Sequence, residues 1–228
     1  MQSRATVVIG GVSLIGGALA FVGVFSYLAA NFNYPGILDG SAHEVLPRLR
    51  SGGSMMRSVW AIYAFLPLLL VPGGVGAYFA CPRSRGRMTV ALVAVCLGAF
   101  GMCLGLIRWP TIHWALAEAY ASAAPDTRAS LDAVFAGLNL YLGNYIGEFL
   151  GEACLGTFFL LTGLSMRVET RFRAWLGVSG TVFAVLFLIG ALRNVVPVVQ
   201  PLADLNNALL PVWMITLGAS FVWSHRRA

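Results

Sequence analysis

Lysine is absent, and all fifteen basic residues of the 228 are arginine. Charged side chains make up only 11% of the chain, against roughly 25% in an ordinary soluble domain. So little charge, with a mean hydropathy of +0.79, excludes a water-facing globule, and 58% of residues are hydrophobic. Cysteine is also scarce: Cys81, Cys96, Cys103 and Cys154 have no C-x-x-C or C-x-x-H spacing. They read as small apolar packing residues, neither zinc ligands nor a disulfide framework. There is no glycine-rich phosphate loop, nucleophile elbow or H-E-x-x-H segment, which removes support for nucleotide chemistry and the standard hydrolases. The net charge of +6 is explained by membrane orientation before nucleic acid, which is not expected as a partner.

What the chain has in abundance is apolar sequence. Runs long enough to cross a hydrocarbon core of about 30 Å, which takes about 20 helical residues, recur along nearly the whole length. We expect an all-α, integral membrane six-helix bundle forming a single transmembrane domain over residues 1–228, with spans near 5–30, 57–80, 88–108, 140–166, 173–193 and 206–223. The first run is too long for a signal-peptide core and lacks a convincing cleavage site, so it counts as a span.

An even number of spans puts both termini on one side. That side carries Arg4, Arg83, Arg85, Arg87, Arg167, Arg171, Arg173, Arg226 and Arg227 against one acid, Glu169. Arginine-rich short loops stay in the cytoplasm, so cytoplasmic termini in a bacterial inner membrane are expected. The connections "CPRSRGR" and "RVETRFR" on that side are tight, whereas the opposite ones run to about 26, 31 and 12 residues between the expected spans. In those outer segments "HEVLPRLR" suggests a short interfacial helix interrupted at Pro47, and "APDTRASLDAVFAGLNLYLG" an outward extension of the fourth helix. Pro67 and Pro72 predict a bend in the second span.

Polar side chains inside apolar runs cost a few kcal/mol unless paired or facing water, so they mark candidate sites. On the fourth span Tyr141, Asn144, Glu148 and Glu152 recur at spacings of three and four, one face of a helix. Gly143, Gly147 and Gly151 form a neighbouring stripe on which another helix can pack closely. A rise of 1.5 Å per residue puts Glu148 about 27 Å above Met166, Glu152 about 21 Å above it, and Arg108 about 30 Å above Met88. Arg193 lies equally far above Arg173. Arg108, His113, Asn144, Glu148, Glu152, Arg193, Asn194, Asp204, Asn206 and Asn207 therefore share one layer near the outer surface. Two arginines and two glutamates there neutralise one another, and arginine's fork suits carboxylates.

That layer predicts an outward-facing polar pocket binding or passing a small molecule or lipid headgroup, with Arg108 and Arg193 on an anionic group and Glu148 and Glu152 balancing charge. A second reading is an integral-membrane enzyme using Glu148 or Glu152 as acid or base. No cofactor is assigned, but His43, His113, Glu148 and Glu152 supply the residue types of a divalent-metal site, and two histidines those of a haem site. His225 lies with Arg226 and Arg227 in the C-terminal tail. A third reading is an accessory subunit, homo- or hetero-oligomeric, docking through the Gly143, Gly147 and Gly151 face. Membrane lipid is a partner under all three.

Four segments carry a resemblance: "GLIRWP" at residues 105–110, "VFAGLNLYLGNYIGEFLGE" at 134–152, "RFRAWLGVSG" at 171–180 and "LLPVWMITLG" at 209–218. In this order they resemble the DUF4386 family of bacterial polytopic membrane proteins, over most of the chain after about residue 60. The most specific elements are Arg108, Trp109 and Pro110, then Gly147 and Glu148. The family's glutamate is commonly followed by histidine, where this chain has Phe149. That departure weakens a metal or haem site built on the family's pattern. The resemblance implies fold and location, and no activity.

Overall fold

The computed structural model describes residues 2–224, so His225, Arg226 and Arg227 lie outside the described residues. Among the described residues every element is helical. Six helices are long and apolar enough to cross a membrane, and the protein is a multi-pass membrane protein. They are α1 (Gln2–Phe32), α3 (Gly53–Ala80), α4 (Pro82–Ser122), α5 (Pro125–Met166), α6 (Ala174–Asn194) and α7 (Pro197–Ser224). A shorter helix, α2 (Ala42–Ser51), lies between α1 and α3. Ile9, Val12, Leu19, Val93, Leu97, Phe100, Val182 and Val212 stand exposed on the bundle's outside, an apolar coat that suits acyl chains and not water.

Several expected boundaries are corrected. The third span does not end at Arg108: α4 continues to Ser122 through a widened turn at Trp109–His113. Pro110 has no backbone N–H to give, and the wider turn absorbs the misfit, with His113 N donating to Arg108 O at 2.7 Å. The 31-residue outer loop is therefore mostly helix, α4 reaching Ser122 and α5 starting at Pro125. At 1.5 Å per residue each of these helices runs about 60 Å, roughly twice the hydrocarbon thickness. Most of the expected last outer loop is likewise helix, since α7 starts at Pro197. Pro47 does not interrupt α2, which is continuous around it; a proline removes one backbone donor, and Pro47 spends that loss on an exposed side. In α3 the turn Leu66–Leu69 is tightened ahead of Leu70, and Ser13 of α1 donates to Leu69 O at 2.7 Å.

Two apolar cores stack along the bundle. One, including Leu14, Met88, Phe158, Phe159, Met166, Leu217 and Phe221, fills the half that holds the ends of α1 and α7. The other joins Phe32, Ile37, Leu46, Leu49, Trp60, Tyr63, Trp109, Tyr120 and Phe135, so α2 and the extensions of α4 and α5 cap the opposite end.

Small residues set how closely the helices approach. A Cβ on Gly147 would lie 3.0 Å from the Cα of Gly105, and one on Gly105 2.6 Å from the Cα of Gly147. A Cβ on Gly151 would meet Met102 at 2.9 Å. The Gly143, Gly147 and Gly151 stripe is thus covered by α4 of the same chain, which corrects the expectation that it offers a docking face.

Candidate functional site

Between the two cores lies a cavity of about 590 Å³ lined from all six membrane helices and from Tyr34–Gly36 and Leu38 of the segment after α1. Its lining is mixed: Phe21, Tyr34, Trp60, Tyr63 and Trp109 contribute rings, and Asn144, Glu148, Glu152, Arg193, Asn194 and Asn206 contribute polar side chains. Exposed Gln200, Asp204 and Asn207 at the start of α7 edge its mouth.

The polar part of the lining is built on Arg193, in the tightened turn Ala191–Asn194 that ends α6. Its Nη1 and Nη2 donate to Glu152 Oε2 and Oε1 at 2.6 and 2.9 Å, a bidentate fork. Nη2 also lies 3.0 Å from Glu148 Oε2. One guanidinium therefore holds two carboxylates one turn apart, which would otherwise repel. Asn194 locks the corner, its Nδ2 donating to Glu148 Oε2 at 2.9 Å and to Asn144 O at 2.8 Å. Both Glu148 contacts fall on Oε2, and Oε1 has no partner among the described residues. Asn206 of α7 is 4% exposed; its Nδ2 donates to Leu186 O at 3.3 Å while its Oδ1 is unpaired.

Arg108 lines the same cavity but does not form the expected pair with Glu148 or Glu152. Its Nε and Nη2 donate to Asn139 Oδ1 at 3.3 and 3.0 Å, and its Nη1 to Gly105 O. The guanidinium carbon sits 5.1 Å from the Trp109 ring centre. Gly143 makes this placement possible, because a Cβ there would come within 2.7 Å of Arg108 Cζ. Asn139, absent from the expected site, ties this end together by also donating to Leu38 O at 3.0 Å. Its signal in the sequence is faint, since an asparagine five residues before Asn144 does not match a 3.6-residue period. The reason is the winding of Asn139–Leu150, a wide π-type helix, in which side chains five apart come into line. The same winding leaves Tyr141 63% exposed, off the face it was expected to share.

The aromatic part of the lining is the other feature that the sequence reading missed. Trp60 and Trp109 stack at 4.7 Å with 16° between their planes, and Tyr63 stacks on Trp60 at 5.7 Å. The hydroxyls of Tyr34 and Tyr63 lie 3.2 Å apart. Enclosure pushes the Tyr34 hydroxyl up to about 12, so it stays neutral. Trp60 Nε1 is buried without an acceptor.

The histidines stand apart from all this. His113 has no exposed surface and is not among the cavity's lining residues; its ring packs 4.7 Å from both Trp109 and Phe135, with neither nitrogen paired. His43 is exposed on α2. Among the described residues no three His, Cys, Asp or Glu side chains converge as metal ligands. The candidate set of His43, His113, Glu148 and Glu152 is thus corrected: the widened turn commits His113 to an aromatic enclosure, and His43 stays at the surface.

A family model described as a domain of unknown function, DUF4386, matches residues 9–222, nearly the whole chain. The chain belongs to the DUF4386 family. The match takes in every residue lining the DUF4386 cavity, from Gly17 to Met214. No curated protein and no solved structure matches the chain.

Proposed function

We propose that this DUF4386 protein is a receptor or carrier for a small amphiphilic molecule in the bacterial inner membrane, its termini cytoplasmic and its cavity opening in the outer half of the bilayer. The single observation that carries this reading is a cavity whose lining combines aromatic rings with paired charged side chains. Its volume of about 590 Å³ falls in the range of small-molecule sites, roughly 300–1,000 Å³, which pair apolar walls with a few convergent polar groups. The apolar body rests against Tyr34, Trp60, Tyr63 and Trp109, and the polar head reaches Glu148. Carboxylates retained at membrane depth cost stability, and a wet, ligand-accepting cavity is the usual setting that tolerates them. Orientation follows from Arg83, Arg85, Arg87, Arg167, Arg171 and Arg173 at the end opposite the cavity.

The test compares what the protein carries from the cell. Wild-type protein, Asn207→Trp, which narrows the mouth from an exposed position, and Glu148→Gln are purified identically, denatured, and their released small molecules analysed by mass spectrometry. A species enriched in the wild type and depleted at least several-fold in both variants is expected. Matching profiles from all three folded proteins refute the reading.

A further inference from the structure

We infer that the cavity selects an organic cation bearing N–H donors, a protonated amine on an apolar body, and not the anionic group that two arginines in one layer suggest. The inference rests on the reading that the cavity is the ligand site, and it assigns the chemistry of the head. Both guanidinium groups in the cavity already have partners on their terminal nitrogens. Arg193 spends Nη1 and Nη2 on Glu148 and Glu152. Arg108 directs Nε and both terminal nitrogens to Asn139 and Gly105. An incoming carboxylate or phosphate would have to displace these bonds, at a cost for every buried group left unpaired.

Among the described residues the acid beside Arg193 keeps an unpaired acceptor, while Arg193 Nε and Trp60 Nε1 are unpaired donors of the lining. Glu148 Oε1 has no partner among the described residues, since Asn194 and Arg193 both use Oε2. Asn206, 4% exposed, lines the same cavity with Oδ1 unpaired. Asp204 at the mouth adds a third carboxylate, engaged only through Oδ1 with Gln200. Among the lining residues three carboxylates, Glu148, Glu152 and Asp204, stand against two guanidinium groups, Arg108 and Arg193. Arg108 carries the second positive charge of the lining, beside Gly143, and its hydrogen bonds go to neutral carbonyl oxygens. A ligand ammonium at Glu148 therefore meets an unpaired carboxylate oxygen beside a guanidinium already neutralised by two acids. Quaternary ammonium satisfies the charge but offers no N–H to Glu148 Oε1, so a protonated amine is the better match. The aromatic rings accept the body, and the unpaired Trp60 Nε1 faces a different requirement from the head.

Three probes of equal length separate the possibilities: 4-phenylbutylamine, 4-phenylbutanol and 4-phenylbutanoate, titrated calorimetrically into the full chain in neutral phosphatidylcholine nanodiscs near neutral pH. The amine is expected to bind at least tenfold more tightly than the other two. Glu148→Gln, a near-isosteric change, should remove about tenfold of the amine's affinity and leave the alcohol's unchanged, and Asn206→Ala should weaken the amine several-fold. Equal or tighter binding of the carboxylate or alcohol, abolished by Asn207→Trp, overturns the cation assignment while leaving the cavity as the binding site. An amine affinity indifferent to Glu148→Gln also overturns it. Binding of none of the three overturns the cavity reading and this inference with it.

Discussion

Arg193 stands between two carboxylates that cannot otherwise share one turn of helix, so its removal is the most damaging single change at the site. Its side chain is 14% exposed, and those of Glu148 and Glu152 are 27% and 18% exposed. Breaking a largely buried ion pair by deleting one partner costs about 3–5 kcal/mol, because an uncompensated charge stays behind. Arg193→Ala should therefore lower the thermal unfolding midpoint in detergent markedly, while Arg193→Lys, which keeps the charge but loses the fork, should fall between. A midpoint for Arg193→Ala equal to wild type would show that the carboxylates are solvated and need no partner. The residue types were legible beforehand, for arginine and glutamate inside apolar runs announce themselves. Which arginine pairs with which acid was not, because both arginines have the same reach and similar depth, and the choice was made by Gly143 and Asn139.

Helices α4 and α5 meet through glycines, with Gly98, Gly101 and Gly105 opposite Gly147 and Gly151. Any side chain on this seam must push two backbones apart. Gly147→Leu is expected to destabilise the protein by at least the 1–3 kcal/mol typical of overpacking, read as an earlier loss of the folded protein during heating. Gly86→Leu is the control, since a Cβ at Gly86 meets nothing within 4 Å. Equal midpoints for the two variants would place the α4–α5 contact elsewhere. The small-residue stripe was visible as a pattern, but a stripe says only that something packs closely against it, and α4 of the same chain proved to be that partner. The widened turns at Trp109–His113 and Asn139–Leu150 were not visible at all. A 3.6-residue period was assumed where the winding is looser, and for that reason Tyr141 was placed in the polar face and Asn139 left out.

The arginine asymmetry makes a prediction for the molecule as a whole. With the native cysteines replaced, Arg48→Cys on α2 should react with a membrane-impermeant maleimide in intact cells. Gly86→Cys, at the start of α4, should react only after permeabilisation. The reverse pattern would invert the protein and turn the cavity toward the cytoplasm. The same scale explains why connections read as long loops are helices: the segments after Arg108 and before Asn139 contain good helix formers, as in "WALAEAYAS". The membrane-length template nevertheless cut them off where the bilayer would end, whereas burial of Trp109, Tyr120 and Phe135 in the capping core continues them outward.

Composition and hydrophobic run length were enough to determine a six-helix membrane protein, because transferring so much apolar surface out of water leaves a chain of this kind no other stable solvent. The presence of ionisable groups in one layer followed as well, from nothing more than the helical rise. Pairing, emptiness and shape belonged to the tertiary structure alone. A side chain's depth along its own helix is a local property, but its azimuth, its neighbour and the space left between them depend on how six helices pack around one another. That packing left Glu148 Oε1 without a partner among the described residues while engaging the terminal nitrogens of both guanidinium groups.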